Sequence, residues 1–105
     1  RNNEIIWKRD APIRSKIIKN STLKNIKILL KEVVIQGTAI KLSNLPFDVI
    51  GKTGTSQKNR DAWFIGCVKN HVVGVWVGRD DDRSMKNIFG SGLPLEIFKK
   101  IAKKI

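Results

Sequence analysis

The sequence predicts an α/β (α+β) domain: a small antiparallel sheet flanked by two helices. Two observations predict it. Apolar residues recur at helical spacing in two segments, 22–35 and 93–105, each with lysines on the opposite side. Between them lie two runs rich in Val, Ile, Trp and Phe, 62–68 and 72–78, joined by a short polar turn. At 105 residues the chain fits one small domain. A domain of this size buries roughly 60–70% of its unfolded surface. With 41% hydrophobic and 29% charged residues it reads as globular.

The elements follow in order. Glu4–Trp7 and Ile13–Ile18 are short isoleucine-rich stretches separated by Lys8-Arg9-Asp10-Ala11-Pro12, an expected hairpin. Asn20, Ser21 and Thr22 offer N-cap groups. Leu23, Ile26, Leu30 and Val33 then mark the stripe of an amphipathic helix over 22–35, ended by Gly37. Residues 38–46 read as a loop. Phe47-Asp48-Val49-Ile50 enters a strand that runs into Gly51-Lys52-Thr53-Gly54-Thr55-Ser56. Residues 57–61 are a polar connection. Lys69-Asn70-His71 joins the two apolar strands, with Asn tolerating the left-handed backbone of a tight hairpin. Residues 79–83 form a charged turn, and Gly90-Ser91-Gly92 reads as flexible. Ile97, Phe98, Ile101, Ala102 and Ile105 face one way on the last helix. A stripe that docks on the sheet accounts for this more simply than a membrane-surface helix. There are no internal repeats and no linker.

Composition excludes several classes. One cysteine rules out an intrachain disulfide framework, and with one histidine no Cys/His zinc site is expected. No apolar run approaches the roughly 18 residues of a spanning helix. Residue 1 is Arg and no signal peptide follows, so a processed, excised or fragmentary chain is expected. The formal charge of +12 suggests nucleic acid or an anionic surface. However, residues 1–50 and 51–105 each carry +6, and Ile, Lys and Asn are all abundant. A compositional background is the expected source, and nucleic acid is not an expected partner.

The chemically informative segment is Gly51-Lys52-Thr53-Gly54-Thr55-Ser56. A phosphate-binding loop needs a glycine five positions before Gly51, where Pro46 stands, and a helix after Lys-Thr, where Gly54 intervenes. Lys-Thr-Gly is instead the third signature of penicillin-binding proteins and serine β-lactamases. Its context carries the resemblance: Arg60-Asp61-Ala62-Trp63-Phe64-Ile65-Gly66, Val73-Gly74-Val75-Trp76-Val77-Gly78, Asp80-Asp81, Gly92-Leu93-Pro94 and, upstream, Leu29–Val34 with Gly37-Thr38-Ala39. Together these resemble the end of the transpeptidase domain of class A penicillin-binding proteins. The resemblance implies a partial penicillin-binding-protein/serine β-lactamase-like fold.

An extended Lys-Thr-Gly-Thr strand suits a substrate cleft. Lys52 supplies a cation. The hydroxyls of Thr53 and Thr55 can hold a carboxylate, a charge-assisted contact of about 1.5–3 kcal/mol. Gly54 lets a peptide lie close. By resemblance, the Thr55 N–H is one of two oxyanion-hole donors. The resemblance also implies D,D-transpeptidation of peptidoglycan stem peptides, sensitivity to β-lactams, no metal or organic cofactor, and a parent enzyme at the periplasmic face of the inner membrane.

The reaction needs a nucleophilic serine in Ser-x-x-Lys and a Ser-x-Asn element, both upstream of Lys-Thr-Gly. Ser-x-Asn is absent, and Ser-x-x-Lys occurs once, at Ser21–Lys24, where a helix cap is wanted. No catalytic residue is therefore assigned on this chain, and it is expected to be inactive alone. Cys67 and Val68 depart from the aromatic and polar residues usual after Ala-Trp-Phe-x-Gly. Arg79 stands where Asn is frequent, and His71 has no visible partner. Three readings stay open: a truncated piece of the enzyme, half of a split enzyme completed by the missing N-terminal part of the domain, or a basic remnant that binds nucleic acid or an anionic cell-wall polymer.

Overall fold

The structure is a computed structural model that describes residues 5–11 and 15–105. Helix α1 spans Asn20–Ile35. Strands β1 (Val49–Thr55), β2 (Asp61–Val68) and β3 (His71–Gly78) form an antiparallel meander in the order β1-β2-β3. Helix α2 spans Leu93–Ala102. A single 3₁₀ turn at Ile40–Leu42 punctuates the α1–β1 loop. The expected α/β class and two flanking helices are present, with α2 ending at Ala102 rather than at 105. The hairpin expected over 4–18 rests partly on residues 4 and 12–14, outside the described residues; 5–11 and 15–19 carry no strand.

Sheet pairing explains the alternating burial. Ala62, Phe64, Gly66 and Val68 of β2 point to one face and are buried, while Trp63 and Ile65 point to the other and are exposed. Register pairs Thr53 with Phe64 and Phe64 with Val75, so the inner face of all three strands is continuous. Helix α2 crosses β2 and β3 on that face. There Phe98 meets Phe64 edge-on with ring centroids 4.7 Å apart. Leu95, Ala102, Leu42, Ala39 and Val34 complete the core.

Three local expectations are corrected. Helix α1 begins at Asn20 with Lys19 at the N-cap and no side-chain capping bond, so Ser21 lies inside the first turn. Its apolar stripe is covered only at the C-terminal end, where Val34 is buried and Leu30 and Val33 are half-buried; Leu23 and Ile26 are exposed. Periodicity reports an apolar face but not the element that covers it. In the two-residue turn after Val68, the left-handed residue is Lys69 (φ 51°), not Asn70.

Much of the outer face of the sheet is uncovered among the described residues. Trp63, Ile65, Val72 and Trp76 are all exposed there. The far edge of β3 has no strand beside it among the described residues.

Candidate substrate-binding strand

The Lys-Thr-Gly segment lies in β1, which among the described residues is an edge strand paired only with β2. Ser56 N–H donates to the Asp61 carbonyl at 2.9 Å, which fixes the hydrogen-bonding phase of the pair. Ile50, Lys52 and Gly54 therefore turn their backbone groups toward β2. Gly51, Thr53 and Thr55 turn theirs toward the free edge. Lys52 reports that geometry: its Nζ curls over the edge to donate to the Thr53 carbonyl at 2.9 Å and lies 3.4 Å from Thr53 Oγ1.

The two threonine hydroxyls are held by different parts of the chain. Thr53 Oγ1 lies 2.6 Å from Thr38 Oγ1, in the turn after α1. Gly37 makes that turn possible, since a Cβ there would sit 2.8 Å from Val33 Cα. Thr55 Oγ1 accepts the Gly90 N–H at 3.1 Å. An accepted bond leaves the hydroxyl proton of Thr55 free to donate.

Gly90 corrects an expectation. It is buried, and a Cβ on it would meet the Gly54 and Trp63 carbonyl oxygens at 2.5 Å. It is a fixed packing point under β1 rather than part of a flexible tripeptide. The loop that carries it folds back along the β1–β2 connection: Met85 N–H donates to the Asn59 carbonyl at 2.9 Å, and Arg60 pairs with Asp82 at 2.8 Å. Sequence reading missed Met85, quoted Thr38 only within the Gly37-Thr38-Ala39 turn, and read Gly90 as flexible, because a glycine needed for close approach looks the same as one in a hinge.

The other candidates lie apart from this cluster. Ser21 is exposed at the start of α1. Cys67 is half-buried at the opposite end of β2, in register with Val72, and His71 is exposed beside the hairpin turn.

The chain matches the family described as penicillin binding protein transpeptidase domain over residues 2–103. It belongs to that family. It is 45% identical over 71 residues to penicillin-binding protein 1A of Aquifex aeolicus, covering 67% of this chain and 10% of that protein. It is 38% identical over 79 residues to penicillin-binding protein 4 of Bacillus subtilis, covering 74% and 12%. It is 31% identical over 101 residues to penicillin-binding protein 1B of Haemophilus influenzae, covering 94% and 13%. The chain thus spans about a tenth of the length of these relatives. No helix among the described residues is long and apolar enough to cross a membrane.

Proposed function

We propose that this transpeptidase segment supplies the substrate-binding strand of a peptidoglycan D,D-transpeptidase, through Lys52, Thr53, Gly54 and Thr55. One observation carries the reading: the Lys52 ammonium and the Thr53 and Thr55 hydroxyls flank a free strand edge toward which the Thr55 N–H is directed. That edge suits an extended stem peptide or a β-lactam. The cation and the hydroxyls take its carboxylate, and the Thr55 N–H takes the developing oxyanion. Gly54, opposite Trp63 in register, keeps the strand surface low.

The acylated serine comes from polypeptide outside these residues, so the chain alone does not acylate. The exposed outer face at Trp63, Ile65 and Trp76 supports a further part of the domain packing there. The parent enzyme works at the periplasmic face of the inner membrane. Incubation with fluorescent penicillin followed by denaturing electrophoresis tests the reading. The chain alone gives no labelled band, and co-expression with a polypeptide carrying Ser-x-x-Lys and Ser-x-Asn gives labelling of that partner. A labelled 11.9 kDa band overturns the assignment.

A further inference from the structure

The positive charge is segregated along the chain more finely than its halves show. Residues 1–31 hold nine basic and two acidic groups, residues 32–98 eight and seven, and residues 99–105 four and none. The fold gathers part of both basic segments at one end of the sheet. Three shallow grooves meet there at Phe47, lined by Lys27, Lys31, Lys69, Lys99 and Lys103. The Lys69 ammonium lies 5.6 Å from the centre of the Phe47 ring. Lys99 is held by the Lys41 carbonyl at 2.8 Å and Asn44 Oδ1 at 3.3 Å, neutral acceptors that leave its charge uncancelled. Among the described residues, the one carboxylate lining these grooves, Asp48, is paired with Lys31 at 3.0 Å.

The opposite end is different in kind. Arg60 pairs with Asp82, and Arg79 and Arg83 pair with Asp81. The ends lie about 25 Å apart along an eight-residue strand, well beyond the screening length of about 10 Å at 0.1 M salt. The molecule therefore presents one cationic pole and one neutralised pole.

We propose that the lysine pole around Phe47 docks on anionic phospholipid headgroups at a bilayer surface. The pole is entirely lysine, and apolar surface lies between the cations: Leu45, Pro46 and Phe47 in the grooves and Val72, 74% exposed, beside the turn. Lysines set among apolar side chains suit a headgroup layer. A soluble polyanion would leave that apolar ground in water. Nucleic acid favours arginine and open aromatic faces, and here the aromatic ring lies against a lysine. The surface is separate from the Lys52–Thr55 cluster and stands whether or not that strand binds substrate.

The test is sedimentation of the full chain with vesicles of phosphatidylglycerol and phosphatidylcholine, against phosphatidylcholine alone. Binding to the anionic vesicles falls steeply with salt. Lys69→Glu with Lys103→Glu weakens it at least about 25-fold, taking roughly a factor of five per lysine near the surface. Lys58→Glu with Lys86→Glu carries the same charge change at the other pole and weakens binding less than about threefold. Circular dichroism checks folding, and the Lys→Gln pair replaces the first variant if charge reversal unfolds it. Equal losses in both variants, no preference for anionic vesicles, or equally tight binding to duplex DNA or polyphosphate at matched salt overturns the proposal.

Discussion

The backbone N–H of Gly90 reaches 35 residues back to Thr55, donating to its Oγ1 at 3.1 Å. At the same point a Cβ on residue 90 would press on the Gly54 backbone, with its nitrogen 2.9 Å away. The loop before α2 is therefore the support of the Lys-Thr-Gly strand, and its cost can be measured. Gly90→Ala is expected to destabilise the chain by about 1–3 kcal/mol, the range for forced overpacking, or more, since the contact is with backbone that cannot rotate away. Thr55→Val removes only the acceptor and costs about 1 kcal/mol, while Thr55→Ser retains it and is near neutral. Urea denaturation of the three variants separates packing from hydrogen bonding.

The Phe64–Phe98 contact joins α2 to the sheet, with both residues fully buried. Phe98→Ala is expected to cost about 3–5 kcal/mol. That is a large share of a small domain's total stability. The far-ultraviolet signal of the variant at room temperature checks it: substantial loss of structure is expected, with Phe98→Leu intermediate.

Lys52 is exposed and, among the described residues, bonded only to the neighbouring threonine. Lys52→Ala should change stability by no more than about 0.5 kcal/mol. In the domain completed by its serine-bearing part, the same variant should slow penicillin acylation at least about tenfold through the lost carboxylate contact. Stability and acylation measured together distinguish a binding role from a structural one.

The Arg79 guanidinium, bonded to Asp81 at 2.6 and 2.8 Å, lowers the Asp81 pKa from its ordinary 3.8 to about 2. A depressed carboxylate stabilises the fold above its unfolded pKa and loses that contribution as pH falls through its folded one. The relevant window is thus 3.8 down to about 2, with nothing expected near neutrality. Because the pair is exposed to solvent, the effect on stability is small. Carboxyl-carbon nuclear magnetic resonance should give a midpoint near 2 for Asp81, and Arg79→Gln should return it toward 3.8.

The outer sheet face gives a fifth readout. Trp63, Ile65 and Trp76 should bind 8-anilinonaphthalene sulfonate more strongly than a fully covered domain does. Ile65→Thr should reduce the dye signal while leaving the denaturation midpoint nearly unchanged. Addition of a serine-bearing partner should suppress the signal in the native chain.

Local pattern made the architecture legible. The β2–β3 hairpin, α2 and the Lys-Thr-Gly strand each announce themselves within ten residues, through period-two alternation, period 3.6 or a motif in context. Non-local features were hidden. Gly90 is explained by Gly54 and Trp63, far upstream of it. The stripe of α1 was visible, but its first two turns have no cover among the described residues. Lys69 takes a left-handed conformation beside an asparagine better suited to it, because the register of the hairpin decides which position needs it. Dividing the charge into halves concealed a neutral middle between two basic segments.

The meander has a kinetic consequence. Among the described residues, each strand pairs only with its sequence neighbours, across connections of five residues and two. Closing such short loops costs little entropy, and local pairings of this kind form fast. The pairing that shapes the Lys-Thr-Gly edge can thus be in place early, before a distant helix has to find its position. Its register is encoded by its immediate surroundings in the chain, and only its underside, at Thr38 and Gly90, waits for long-range closure.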